Sequence, residues 1–246
     1  MNGVSQQRLL EIQVETLFVI SRNGRISRCA GPDRAPAPRL HLAIGKGGAI
    51  VRLRDDIDPK VAHEIEILAA REFPVTQASA MPRFSDEYRQ LLGVSEPLTD
   101  HHFGVIHQLP HRTRWNGNVT LVSHATSQGE TLTAKIARHG MPQDLVEAGF
   151  VDLSHFWEPW CVVTVDGKIA SLAFAVRLGE QGAELGVNTL PAYRGRGLAA
   201  AVTAGWSALP RLQTRPLFYA THRDNLSSQR VIARLGLPFL GVRLQI

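Results

Sequence analysis

The chain has 246 residues, 44% hydrophobic and 20% charged, which is enough for one large or two small domains and too apolar for a disordered segment. A formal net charge of +5 favours an anionic partner, yet no lysine-rich run, basic helix or interleaved aromatic pattern marks a nucleic-acid module, so no nucleic acid is expected. Two cysteines, Cys29 and Cys161, exclude a disulfide framework and a C-x-x-C pair, and the first twenty residues show neither a leader pattern nor a membrane-length apolar run; a cytoplasmic setting without membrane contact is the expectation.

In chain order, residues 1–102 predict a small α/β unit with no catalytic signature. "LFVISRNGRIS" reads as a hairpin turning at Asn23-Gly24, and "RLHLAIGKGGAIVRLR" as a second one around residues 45–48, with a proline-rich loop over 32–39 between them. Asp58 and Pro59 supply an N-cap and a first-turn proline for a helix whose Val61, Ile65, Leu68 and Ala69 share a face. A shorter helix over "FSDEYRQLLG" ends at Gly93.

Residues 103–246 form the second proposed domain. "FGVIHQLP" and "NVTLVSHA" are strand-like, and "TLTAKIARHG" and "DLVEAG" read as short helices. "WCVVTV" and "KIASLAFAVRL" are apolar strands joined at Asp166-Gly167, and "AELGVNTL" completes three consecutive antiparallel strands. A helix follows, with Leu198, Ala201, Val202, Gly205, Trp206 and Leu209 on one stripe. "PLFYATH" is a buried-type strand, "DNLSSQRVIARLG" a helix capped by Asp224 or Asn225 and stopped by Gly236, and "FLGVRLQI" a last strand. The fold class expected is α/β in the α+β sense: a mixed, mostly antiparallel sheet flanked by helices, with a smaller N-terminal α/β unit.

"LPAYRGRGLAAA", residues 190–201, sits between the third strand and its helix. Glycines there serve tight geometry in the plainer case. Here the helix starts at once, so its free N–H groups and positive dipole end face the loop. Gly195 and Gly197 let phosphates approach the backbone, and Arg194 and Arg196 add fixed positive charge. A dinucleotide fingerprint needs G-x-G-x-x-G after a parallel strand, and a Walker loop needs G-x-x-x-x-G-K-[ST]; neither is present.

"VNTLPAYRGRGLA" resembles the acetyl-CoA-binding segment of the GNAT N-acetyltransferases, whose [QR]-x-x-G-x-[GA] signature is matched by Arg194, Gly197 and Ala199. "DNLSSQRVIARLGL" is similar to the same family's later helix, with Asn225 and Ser228 at the matching positions. The resemblance covers roughly residues 118–246, and the N-terminal unit is similar to an appended α/β region of a bacterial subgroup. It implies transfer of an acetyl group from acetyl-CoA, as co-substrate, directly to a primary amine of a small molecule or protein. It implies that backbone groups of Val187, Asn188 and Thr189, on a bulged strand splayed from its neighbour, meet the thioester and pantetheine arm. The amides of Arg196, Gly197, Leu198 and Ala199, beside Gly195, would hold the pyrophosphate. It implies Glu184 as general base through water, with His222 a second candidate and His155, Glu158 and Asp224 weaker ones. The tyrosine that many members carry on the last helix is replaced by Ile232, so Tyr219 or water would protonate the thiolate, or no acid is needed, or the chain is an acyl-CoA-binding sensor without efficient turnover. A homodimer stays open.

Other features have plainer expectations. His101, His102, His107 and His111 lack an acidic or thiolate partner at ligand spacing, so no metal is expected. Cys161 reads as core, Tyr193 as a flank to the cofactor, and Phe156, Trp157 and Trp160 as either an acceptor wall or a strand anchor.

Overall fold

The computed structural model describes residues 4–32 and 35–246; Asp33 and Arg34 of the proline-rich loop lie outside the described residues. Helix α1 (Gln6–Leu17) comes first, in a stretch where sequence patterning predicts no element. Ser5 caps it, its hydroxyl accepting from the Arg8 backbone N–H at 3.1 Å, and Leu9, Leu10, Val14 and Leu17 bury its inner side. Strands β1 (Phe18–Ile20) and β2 (Ile26–Cys29) form the first expected hairpin, a separate two-stranded sheet. The second expected hairpin is β3 (Leu40–Gly45) and β4 (Gly48–Leu53).

Helix α2 (Pro59–Ala69) starts where Asp58 and Pro59 place it, with the Asp58 carboxylate accepting from the Lys60 N–H at 2.8 Å. Its buried line is Ala62, Ile65 and Ala69, with Val61 and Leu68 on the flanks. Helix α3 (Ser85–Leu91) follows, then β5 (Phe103–Leu109), β6 (Thr120–Ser123), α4 (Ser127–His139) and α5 (Gln143–Glu147). The C-terminal run is β7 (Cys161–Val165), β8 (Lys168–Leu178), β9 (Ala183–Thr189), α6 (Leu198–Ser207), β10 (Leu217–His222), α7 (Leu226–Leu235) and β11 (Phe239–Gln245).

Among the described residues, nine strands make one sheet in the order β4-β3-β11-β5-β10-β9-β8-β7-β6. Strands β6 to β9 are an antiparallel meander, four strands rather than the expected three because β6 pairs with β7. Strand β5 is inserted between β10 and β11, antiparallel to both. Strand β11 then pairs with β3, so the early hairpin extends the same sheet that carries the glycine loop.

Helices cover both faces of this sheet. Helices α6 and α7 pack on Ala173, Leu185, Leu217 and Tyr219, and farther along the same face α2 and α3 cover Leu42, Ile44, Val242 and Leu244. At Gly205 an added Cβ would stand 2.9 Å from Leu121 and 3.2 Å from the Cys161 sulfur, so α6 lies close on the strands there. Helix α1 crosses the opposite face over Ile106, Phe218 and Leu240, and α4 covers Val122, Val162 and Leu172. Among the described residues, no helix is long and apolar enough to cross a membrane.

Candidate active site

Two parallel strands begin together and separate. Strands β9 and β10 pair only at Ala183 with Leu217 and Glu184 with Phe218, although β9 runs on to Thr189 and β10 to His222. Beyond these two pairs, the edge of β9 that would face β10 is not in the ladder. The splay expected from the family resemblance is therefore present. The bulge is elsewhere: Val176 is the extra residue on β8, opposite Leu185 and Glu184 of an even β9.

A cavity of about 470 Å³ opens at this divergence, lined by residues 187–189, 193–195 and 197–200, by Tyr219, and by one side of α7. The chain reaches it from Thr189 through a single 3₁₀ turn at Pro191–Tyr193, then turns with φ of +76° at Gly195 and +77° at Gly197. Those values are left-handed and favour glycine. Gly197 is the N-cap of α6 and provides no side-chain cap, so the first amides of α6 are left open towards the cavity. Arg194 donates from Nε to the Thr189 carbonyl at 3.2 Å, tying the loop to the strand end, and the Arg196 guanidinium lies 5.7 Å over the Tyr193 ring.

Helix α7 forms the other wall. Asn225 is its N-cap, with Oδ1 accepting from the Ser228 N–H at 3.1 Å; both residues line the cavity. Ser227, Arg230, Val231 and Arg234 also line it, and the sequence reading did not single them out. Their spacing of i, i+3, i+4 and i+7 is the signal that marks one helix face. An added Cβ at Gly197 would stand 2.5 Å from Arg234 Nη1, so a glycine leaves room for that guanidinium. Arg194, Arg230 and Arg234 give the cavity an anion-binding character.

Tyr219, 2% exposed, turns its phenol to this wall, and its oxygen makes no hydrogen bond among the described residues. Burial raises its pKa, with Ser228 partly opposing the shift. Ile232 is packed in the same cluster.

Two of the expected site residues do not line the cavity: Arg196 and Glu184. Ala183, Leu185 and Val187 face α6 and α7, whereas Glu184 points to the opposite face. There its carboxylate accepts a 2.7 Å hydrogen bond from Gln13 Nε2 of α1. Burial raises the Glu184 pKa above its ordinary value, while the Gln13 hydrogen bond and the Arg243 and Arg177 charges act to lower it. His222, on the same face, is held below its ordinary pKa by burial and by Arg243.

The weaker candidates are engaged elsewhere. Asp224 lies 3.7 Å from His101, His155 lies 3.3 Å from Asp152, and Glu158 pairs with Arg211 at 3.2 Å. His107 and His111 bond backbone carbonyls, and His102 bonds Thr99. Phe156, Trp160 and Cys161 are core; burial pushes the Cys161 thiol up to about 12. Trp157 packs edge-on to Phe174 at 5.7 Å and lines a second pocket of about 480 Å³ beside Pro32 and Leu178.

Similar solved structures include a GNAT-family structure from Novosphingobium aromaticivorans, 19% identical over 59% of this chain, with a TM-score of 0.39; this chain spans 65% of its length. A GCN5-related N-acetyltransferase from Kribbella flavida is 15% identical over 99% of this chain and 95% of its own, with a TM-score of 0.45. The protein yncA from Salmonella typhimurium, solved with its cofactor acetyl-CoA, is 16% identical over 52% of this chain and 94% of its own, with a TM-score of 0.31. No curated protein matches the sequence. Family membership rests instead on a sequence match that contains the glycine loop, the splayed strand β9 and helix α7. Residues 126–239 match the GNAT acetyltransferase model, and this segment of the chain belongs to the GNAT superfamily.

Proposed function

We propose that the protein transfers an acetyl group from acetyl-CoA to the amine of an acceptor bound on the opposite face of the sheet. One observation carries this: the separation of β9 from β10 beside a left-handed glycine loop and an uncapped helix N-terminus. The site suits this co-substrate. Its open amides and Arg194, Arg230 and Arg234 match a pyrophosphate, and the free edge of residues 187–189 matches the amides of a pantetheine arm.

Acetyl-CoA supplies an activated thioester carbonyl. In this reading the amides of Arg196, Gly197, Leu198 and Ala199, with Gly195 beside them, hold the pyrophosphate, and Asn225 and Ser228 flank the arm. Backbone N–H groups of Val187, Asn188 and Thr189 polarise the carbonyl. The acceptor nitrogen forms a bond to the carbonyl carbon as the carbon–sulfur bond breaks. Glu184 takes the nitrogen's proton through water, and Tyr219 returns a proton to the departing sulfur. Residues 1–102 act as an appended unit that closes the acceptor face through α1.

The test is calorimetry with acetyl-CoA together with a thiol-release assay over a broad amine panel. Saturable binding and amine-dependent thiol release are expected; absence of binding would overturn the reading. Ile232, aliphatic where many relatives carry tyrosine, favours a second reading as an acyl-CoA sensor. Tight binding with no thiol release on any acceptor would select it.

A further inference from the structure

The face opposite the cavity carries an acidic and a basic side chain, each partly open to solvent, at the two ends of one strip of the sheet. Glu184 stands at one end, beside Phe218 in the ladder. Four residues further along β10 is His222, paired across the sheet with Gly104, which is paired in turn with Arg243. At ~3.3 Å per residue the backbone positions are offset by roughly 13 Å along the strands, while the Glu184 and Arg243 side chains lie near enough for each charge to act on the other. Ala220 lies between them on β10, small and partly open to solvent, as are Glu184, His222 and Arg243.

Arg243 is built into this place. Its side chain crosses β5 where position 104 is glycine, and an added Cβ there would stand 2.6 Å from Nε. One Nη donates to Gln245, but among the described residues the buried Nε has no hydrogen-bond partner. Among the described residues no carboxylate lies within ion-pair distance of this guanidinium, and Glu184 opposes its desolvation only from farther off. His222 Nδ1 beside it is likewise buried with no hydrogen-bond partner among the described residues. Arg52, also on this side of the sheet, adds a second positive charge that reaches His41. A largely desolvated guanidinium is costly unless it meets an anion, and its planar fork matches a carboxylate.

We propose that the acceptor is a small amino acid: its amine lies towards Glu184 and the divergence of β9 from β10, and its carboxylate is bound by Arg243. This rests on the acetyltransfer reading above for the role of the amine, but not for the recognition of the carboxylate. Arg243 is thus a specificity-determining residue contributed by the last strand, outside the matched family segment.

The experiment uses the full chain with acetyl-CoA and matched pairs, the common amino acids and their simple carboxamides. Thiol release is expected with at least one acid, at a kcat/KM ten-fold or more above that of its amide. Arg243→Met should erase this preference and Arg243→Lys should restore part of it, both with unchanged acetyl-CoA affinity. Equal rates on acids and amides in the wild-type chain would overturn the proposal, whatever the variants do. Calorimetry of the same pairs against the CoA-saturated chain separates the two levels. Arg243-dependent binding of an acid without thiol release keeps the carboxylate site and overturns acetyltransfer. Thiol release on simple amines with no binding of any acid does the reverse.

Discussion

Gln13 Nε2 donates a 2.7 Å hydrogen bond to a Glu184 carboxylate oxygen, joining α1 to β9 across 171 residues of chain. That bond favours the ionised carboxylate, while burial favours the protonated one. A protonated Glu184 cannot accept the acceptor's proton. Acetylation should therefore fall as pH drops through a Glu184 pKa that lies above the ordinary carboxylate value. Removing the donor with Gln13→Met leaves burial less opposed and moves this acid limb to higher pH. The pH profile of kcat/KM checks it; a limb that stays in place would remove Glu184 from the base role.

Gly197 has φ +77°, and Arg234 lies close to where a side chain would go. Gly197→Ala should cost about 1 kcal/mol of stability from left-handed strain alone. Gly197→Glu should add a carboxylate where phosphates belong and weaken acetyl-CoA by 100-fold or more. Calorimetry paired with urea denaturation distinguishes the two effects, since the affinity loss should far exceed the change in midpoint.

Tyr219 is the buried phenol of the cavity wall, and Ile232 beside it has no proton to give. Tyr219→Phe keeps the packing and removes only the hydroxyl. It should lower kcat by about 10² with little change in KM if the phenol protonates the departing sulfur. An unchanged kcat would assign that proton to water.

His41 is fully buried, and burial, Arg243 and Arg52 lower its pKa from 6.5 to about 3. The unfolded chain takes up this proton near pH 6.5 and the folded chain does not, so stability is lost as pH falls from about 6.5 towards 3. The slope contributed is about 1.4 kcal/mol per pH unit within that window. His41→Gln removes the titrating group. Its denaturation midpoint should change less between pH 7.5 and pH 5 than that of the wild-type chain.

The C-terminal elements were legible because their local signals agree with their tertiary setting. Asp166-Gly167 turns between β7 and β8, Asn225 caps α7, and Gly236 ends it. The α7 wall was half legible: Asn225 and Ser228 stood out through a family pattern, whereas Arg230 and Arg234 required counting helical spacing from Ser227. Helix α1 escaped because its apolar residues are interrupted by Gln13, which is fully buried for the sake of Glu184. The insertion of β5 between β10 and β11 has no local signature at all. A strand's sequence reports its burial and alternation but not its neighbours. The face chosen by Glu184 depended on where the bulge fell, and it fell on β8.

Strand β11 has one consequence for biosynthesis. Among the described strands it comes latest in the chain, yet it is the one that joins β3 to β5 in the sheet. Until it is made, the early hairpin and the strand that follows it keep open edges in solution. A nascent chain therefore holds its early hairpin unfinished until residues 239–245 have emerged. Deleting residues 237–246 would remove Arg243 and, in the same cut, the strand that joins β3 to β5.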